Sequence, residues 1–481
     1  MWFRSDLRVY DNPALSAAMK SGDTVAVFCL TPKQWDEHKV SPAKLSLLMR
    51  QVRALATDLK KLNVPLLVLN TKEFANTASH LVSIAKNLAA TQVFFNIEYE
   101  INEIRRDEQV IQALAKAGVA AQRLHDQCMV QPGAILNGTG ESYKVFSAFK
   151  RAFLGKFYDV VRPLYNRPDP QRVLAVQSDL LQLEEIAIES RWESLWPAGE
   201  DEAHERLNRF VEQDIRAYDT RRDIPALAAT STLSPYLAIG ALTTRQCMQA
   251  AISENRGVLD GGQNGVAVWM NELIWREFYR HLLVFYPRLC RGKPFKSETD
   301  GLPWKHDQAL FLQWCNGQTG VPIVDAAMQQ LLQTGWMHNR LRMVTAMYLT
   351  KDLFIDWRWG EAFFMQHLVD GDFASNNGGW QWSASTGVDA VPYFRVFNPV
   401  RQSQRFDPAG TFIRQYLPQL KSLDNKRIHD PDPQQALRLG YSLPLVNHRL
   451  AVEQTKSWFK ALNDGVTLAN TAERQEELKF A

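Results

Sequence analysis

Over the first 130 residues, short apolar runs alternate with stretches whose apolar residues recur every three to four positions. The runs 25–30 (VAVFCL), 65–70 (PLLVLN) and 92–99 (QVFFNIEY) are largely apolar on both faces, as strands of a parallel sheet covered on each side must be. Between the first two, Leu45, Leu48, Met49, Val52, Leu55, Leu59 and Leu62 fall on one helical stripe, with Ser41 as N-cap and Pro42 in the first turn. This alternation predicts a doubly wound, Rossmann-like α/β domain over residues 1–130. A first strand with only Met1, Trp2 and Phe3 available is short for the centre of a sheet and predicts that residues are missing ahead of it.

From 131 to 205 the periodicity breaks at Gln131-Pro132-Gly133, at Asn137-Gly138 and around 166–170 and 197–200, which marks a long interdomain linker. One helical piece, 143–157, interrupts it and carries Lys144, Lys150, Arg151 and Lys156. A solvated helix face explains these charges as well as phosphate contact does. Helical patterns dominate 206–465, predicting an all-α domain, and 466–481 reads as a polar tail that frays.

One stretch, 370–382 (DGDFASNNGGWQW), follows neither period. Two carboxylates, adjacent carboxamides, an adjacent pair of glycines and two tryptophans predict a tight functional turn suited to something flat and polar. A calcium loop is a poor reading, because Ala374, Ser375 and Gln381 stand where a ligand, a glycine and a glutamate are needed.

The chain has 481 residues, enough for two or three domains and for burying a large cofactor. A net charge of +3 neither demands nor excludes a polyanion partner. The five cysteines, Cys29, Cys128, Cys247, Cys290 and Cys315, form no CxxC pair, so neither a zinc site nor a disulfide framework is suggested. No charged-then-apolar leader and no run of eighteen apolar residues is present, and the expectation is a soluble cytoplasmic protein with no membrane role. Nine of the fourteen tryptophans lie between Trp269 and Trp382, an awkward choice for mere filling because each buried indole N–H wants a partner.

The α/β half lacks a dinucleotide fingerprint: WFRSDLRVYDN offers no glycine before Gly22. Candidate chemistry gathers in the helical half instead. Thr230, Ser231 and Thr232 crowd hydroxyls ahead of a helix with Ser234 as cap and Pro235 as first residue, which is either an ordinary capped helix or a phosphate site. In 269–281 (WMNELIWREFYRH), Trp269, Glu272 and Arg276 share one helix face, with indoles on both sides predicting a partly buried Glu272–Arg276 pair. In 335–343 (GWMHNRLRM), Trp336, Asn339 and Met343 align at helical spacing and Arg342 lies beside Asn339.

These segments, with WFRSDLR near the start and STG and YFRVFNP after 382, resemble the DNA photolyase and cryptochrome family, most nearly its bacterial cyclobutane pyrimidine dimer photolyases, over residues 2–460. The resemblance implies an antenna α/β domain, a linker and an all-helical domain that binds FAD, consistent with the missing glycines. It implies that Tyr218, Thr230, Ser231, Leu233, Glu272, Arg276, Trp336, Asn339, Arg342, Asp370, Asp372 and Asn376 line the flavin, with Asn376 near N5 and Arg342 paired with Asp370. The implied activity is that of a carbon–carbon lyase: on blue-light excitation reduced FAD passes an electron to a flipped-out pyrimidine dimer in DNA, which splits.

By the same resemblance, Glu272 and Asn339 bond the flipped bases while Trp275, Met343 and Trp382 form an apolar cradle. Trp380, Trp357 and Trp304 match an electron relay to the flavin, and Lys150, Arg222, Arg340 and Arg395 match contacts to DNA phosphates. His38, Asn102, Glu103 and Cys290 resemble a site for the antenna 5,10-methenyltetrahydrofolate, although Arg291 replaces the lysine expected there. No metal is implied, and the protein is expected to be a monomer. The alternative is a cryptochrome-type photoreceptor, against which Asn376 speaks. A dark flavoprotein oxidoreductase would need a route for a second substrate that no residue names.

Overall fold

The computed structural model describes residues 1–465, and the tail expected over 466–481 lies outside the described residues. Two compact units form. The first comprises Met1–Asp219, Thr230–Pro287 and Val369–Asp372; the second comprises Thr220–Ala229, Arg288–Leu368 and the chain from Phe373 on.

In the first unit the strands are β1 (Trp2–Phe3), β2 (Ala26–Leu30), β3 (Leu66–Asn70), β4 (Gln92–Asn96) and β5 (Ala120–Leu124). All pair in parallel, in the order β1-β2-β3, with β4-β5 as a separate ladder. The helix Pro42–Lys61 forms where the stripe predicts it, and the Ser41 hydroxyl accepts the Lys44 N–H at 3.0 Å. Its apolar face, including Met49, Val52, Leu55 and Leu59, packs with Phe3, Phe28, Leu30 and Leu66. A second core places Trp2, Val27 and Phe95 against Leu81, Val110 and Leu114.

Side chains, rather than glycines, organise the loop after β1. Asp6 accepts the Arg4 N–H at 2.7 Å and the Asn96 side-chain amide at 2.6 Å, and Glu200 accepts the N–H groups of Val9 and Tyr10 at 2.8 and 3.1 Å. Behind them Asp126 bridges Arg8 at 2.6 Å and Arg245 at 2.7 Å, all three buried. Despite burial, the two guanidiniums hold the Asp126 carboxyl below its ordinary range. The loop thus commits the N–H groups of Arg4, Val9 and Tyr10 to carboxylates of this chain, and those of Leu7 and Asp11 to the Ile239 and Tyr165 carbonyls, rather than presenting them to a phosphate.

The second unit is built on one helical core containing Trp304, Trp314, Met337, Trp357, Phe364, Trp380 and Phe412. Its last helix, His448–Asn463, contributes Trp458 and Phe459. The largest departure from the sequence expectation lies here. Residues 373–384 form a continuous α-helix, Phe373–Ala384, rather than a tight turn, and Gly378 and Gly379 are interior to it. Its buried positions, Ala374, Asn377, Trp380, Gln381 and Ser383 among them, lie on one half of the helix, but carboxamides and a hydroxyl stand among them, so no apolar stripe betrays the 3.6-residue period.

Candidate functional site: residues expected to hold a flavin, a lesion and an antenna

In the first unit the helix Asn264–Phe285 presents Trp269, Glu272, Trp275 and Arg276 as the spacing predicts. Trp269 is buried on Phe210, at a ring separation of 5.1 Å. Trp275 stacks face to face on Phe146, with centroids 3.6 Å apart and planes at 6°. The expected Glu272–Arg276 pair is not made. Arg276 donates instead to the carbonyls of Gln127 at 3.0 Å and Leu237 at 3.3 Å, because neighbouring chain brings fixed acceptors to it. Burial, then the nearby Arg280, lowers its pKa. Among the described residues no carboxylate sits within ion-pair distance of Arg276, a donor set suited to an incoming anion such as a diphosphate.

The segment Val369–Asp372 is tied down at each residue that matters. Ser234 donates its hydroxyl to Asp370 at 2.6 Å, Lys44 donates to the Gly371 carbonyl at 2.6 Å, and Arg280 pairs with Asp372. Ser234 is therefore not the cap expected of it. The helix Ser234–Ile239 starts one residue early, with Leu233 at the N-cap and no side-chain cap bond, since the hydroxyl is committed to Asp370. Arg280 lies four residues beyond Arg276, a spacing that would have revealed it as the next cation on that face. Lys44, 327 positions from its partner, carries no such signal. Tyr218 packs edge-on against Phe210 at 5.8 Å, Leu233 is buried, and Thr230 and Ser231 are half-buried.

Beside Arg276, the buried Cys128, Glu277 and His281 bring ligand-type atoms within 4.8 Å of one another. Glu277 accepts the Met129 and Val130 N–H groups at 2.9 and 3.4 Å, and the His281 Nε2 bonds the Val130 carbonyl at 3.1 Å. Those bonds make the cluster a polar knot fixing 128–130 to the helix. Burial pushes the Glu277 carboxyl up to about 7 and His281 down to about 4.

Three of the four expected antenna residues also meet in the first unit. His38 Nε2 lies 3.0 Å from the Asn102 amide, and its Nδ1 lies 3.5 Å from Glu103. Burial, reinforced by Glu100 and Glu98, pushes Glu103 up to about 8. Cys290 is half-buried in the second unit.

In the second unit the helix Pro322–Thr334 ends at Gly335, whose φ of 68° is the left-handed cap, and the next helix is Asn339–Met347. Asn339, Arg342 and Met343 share its first turns, but Trp336 does not align with them, because it lies in the connection between the helices. Arg342 donates to the Met337 carbonyl at 2.8 Å. On the helix Phe373–Ala384, Asn376 donates its amide to the Glu361 carbonyl at 3.0 Å, which leaves its side-chain oxygen to accept an N–H. Its neighbour Asn377 donates to the Glu361 carboxylate at 2.7 Å. Burial raises that carboxyl to about 7.

Trp304, Trp357 and Trp380 are all buried in this unit's core. Trp380 is clamped edge-to-face by Phe364 at 4.9 Å and by Trp314 at 6.0 Å. Trp382 and Met343 are half-buried. Of the expected phosphate contacts, Arg395 is exposed and Lys150, in the first unit, is half-buried. Arg340 is engaged bidentately with Asp223 at 2.8 and 3.2 Å, and Arg222 lies 3.9 Å from the same carboxylate.

A family model described as DNA photolyase matches residues 1–171, and one described as the FAD binding domain of DNA photolyase matches residues 269–461. A deoxyribodipyrimidine photo-lyase of Vibrio cholerae is 44% identical over 96% of this chain and 98% of its own. That of Escherichia coli is 41% identical over 97% and 99%. A crystal structure of a class III photolyase from Agrobacterium tumefaciens superposes with a TM-score of 0.86 at 31% identity, covering 96% of this chain and 97% of that one. With both family models matched and similarity running through nearly the whole chain, the protein belongs to the DNA photolyase family.

Proposed function

We propose that this protein is a light-dependent DNA repair enzyme that splits cyclobutane pyrimidine dimers with FAD as cofactor. The observation that carries the reading is the 44% identity, along nearly the full length, to a protein named deoxyribodipyrimidine photo-lyase. A sequence partition of 1–130 antenna domain, 131–205 linker and 206–465 catalytic domain accompanies this proposal, as do a cytoplasmic location and a monomeric state.

The flavin supplies the excited-state electron donor. Of the residues proposed to line it, Arg276 fits an anion because its guanidinium donates to two carbonyls and, among the described residues, has no carboxylate within ion-pair distance. Asn376 fits a ring N–H because its amide group is oriented by donation to the Glu361 carbonyl and its side-chain oxygen is an acceptor. Ser234, Lys44 and Arg280 position Asp370, Gly371 and Asp372, so those carboxylates are oriented before anything binds.

The base-facing roles follow the same pattern. Glu272 and Asn339 present polar groups to the flipped pyrimidines, and Trp275, Met343 and Trp382 present apolar surface. Trp275 is rigidly backed by Phe146, which lowers the ordering cost of receiving a base. Trp304, Trp357 and Trp380 act as the relay that returns an oxidised flavin to its working state. Lys150, Arg222, Arg340 and Arg395 contact DNA phosphates, Arg340 and Arg222 with Asp223 as an internal competitor. His38, Asn102 and Glu103, with Cys290, hold 5,10-methenyltetrahydrofolate.

Expression in a bacterial strain without dimer repair tests the reading. Survival after ultraviolet irradiation rises when the cells are then held in blue light and stays at the control level in the dark. Equal survival under both conditions refutes it and favours the photoreceptor alternative.

A further inference from the structure

Lys351 is fully buried in the second unit, and among the described residues no carboxylate stands within ion-pair distance of it. Placing an amine there is costly, and burial, then the nearby Lys296, lowers its pKa. It lies in a π-helical turn, Tyr348–Asp352, and the helix His448–Asn463 grips it at both ends. The Thr455 hydroxyl donates to its carbonyl at 2.7 Å, and its Nζ lies 4.0 Å from the centre of the Phe459 ring. Filling the space does not call for an amine, since an unbranched apolar side chain such as methionine occupies a similar volume without the desolvation cost.

What the amine touches is the end of the helix Phe373–Ala384. Its Nζ donates to the Ala384 carbonyl at 3.1 Å and to the Ser385 hydroxyl at 2.9 Å. The first bond satisfies one of the carbonyls that a helix C-terminus leaves open. The second falls on a residue in a backbone state that L side chains avoid: Ser385 has a φ of 65°, the left-handed region usually left to glycine. That conformation stops the helix and folds the chain back on it. The Ser385 N–H then reaches the Trp382 carbonyl at 3.3 Å, and the Thr386 and Gly387 N–H groups both reach the Gln381 carbonyl at 3.0 Å. Among residues 380–388, all of them described, Trp382 alone is not buried.

We propose that Lys351 is a positioning residue for lesion recognition: by fixing Ser385 in its left-handed conformation it holds the last turn of the helix, and with it Trp382, where a flipped pyrimidine dimer is received. The inference rests on the reading of this protein as a dimer-repair enzyme, in which Trp382 belongs to the apolar cradle. The chain of bonds from Lys351 through Ser385 to Trp382 stands without that reading. Both bonds from Nζ are donated equally well by an amine or an ammonium, so the clamp works in either charge state. An indole held in one place before the base arrives spares the ordering cost of stacking on it.

The test compares three flavin-loaded full-length forms: the parent chain, Lys351→Met, and Lys351→Met combined with Ser385→Gly. Glycine adopts a positive φ unaided, so it replaces the clamp without restoring the amine. Hydrogen exchange is read at the amides of 385–387, and affinity is read as the ratio between a duplex carrying one thymine dimer and the same duplex undamaged. Lys351→Met speeds exchange at these amides by at least about tenfold and lowers the affinity ratio by at least about fivefold, the share of one weak base–aromatic stack. The double variant restores both. Should Lys351→Met not fold, Ser385→Ala and Ser385→Gly carry the same contrast: the alanine is impaired, the glycine matches the parent, and equal behaviour of the two overturns the proposal. An affinity ratio unchanged in Lys351→Met overturns it, as does a double variant as impaired as the single one, which makes Lys351 a core residue and no more. A parent chain with no preference for the dimer overturns the repair reading, and the role of Trp382 with it.

Discussion

Trp380 is held against a glycine, and that contact yields a prediction of definite sign. Gly360 lies in the helix Trp357–His367, and a Cβ there would stand 2.7 Å from Leu349 Cδ2 and closer still to the Trp380 ring, where ordinary contact begins at 3.4 Å. The indole cannot yield toward solvent. It is 2% exposed and clamped by Phe364 and Trp314. Gly360→Ala therefore forces helix and ring apart by roughly 1 Å, an overpacking cost near the upper end of the usual ~1–3 kcal/mol. Replacing a helical glycine by alanine returns about 1 kcal/mol, leaving a net loss of roughly 2 kcal/mol. Gly379, in the helix Phe373–Ala384, provides the control, since a Cβ there meets nothing within 4 Å. Gly379→Ala should stabilise by about 0.5–1 kcal/mol. Urea unfolding of the two variants reads the difference directly: the midpoint falls for Gly360→Ala and rises for Gly379→Ala. A Gly360→Ala midpoint at or above that of the parent chain would refute the packing argument. Displacement of Trp380 should also lower light-driven reduction of oxidised flavin in Gly360→Ala alone.

Trp380→Phe and Trp304→Phe should each abolish that photoreduction while leaving repair by chemically reduced protein intact, as absorbance and dimer assays can establish. Asp126→Asn removes the carboxylate shared by Arg8 and Arg245 while Arg245 keeps Asp11 at 3.0 Å, and should cost about 3 kcal/mol in denaturant unfolding, the lower end of the range for breaking a buried pair. Because the folded state lowers the Asp126 pKa, the stability it contributes is present above the ordinary value of 3.8 and is lost as pH falls through the folded value. The variant should therefore show a flatter acid limb. Lys150→Ala and Arg395→Ala should weaken damaged-duplex binding at low salt and each reduce the slope of log affinity against log salt by about 1, whereas unchanged slopes would remove them from the phosphate contacts.

Features set by local chemistry were legible in the chain. Ser41, Pro42 and the stripe from Leu45 to Leu59 specify a helix without help from distant residues, and the structure places it there with its cap bond. The runs around Val27, Val68 and Phe94 likewise read as strands because both faces had to be apolar. What escaped reading depended on partners far away in sequence. The helix Phe373–Ala384 reads as a turn in the sequence because its buried half mixes Asn377, Gln381 and Ser383 with Ala374 and Trp380, which leaves no apolar stripe to set a period. Spacing pairs Arg276 with Glu272 one helical turn away, yet its acceptors are the Gln127 and Leu237 carbonyls, which no spacing rule connects to it. Ser234 looked like a cap until Asp370, 136 positions on, took its hydroxyl. The candidate residues rest on the family resemblance, whereas the bonds that orient Asp370, Asp372 and Arg276 come from distant chain and carry no local signal.

Repair by this protein depends on light acting through the bound flavin. The most direct measurement incubates the flavin-reduced protein anaerobically with duplex DNA carrying one defined thymine dimer, in blue light and in darkness, and quantifies the dimer by chromatography. Dimer loss with recovery of the two thymines is expected in the illuminated sample alone. Loss at the same rate in the dark, or an intact dimer in both samples while flavin and DNA remain bound, would contradict it.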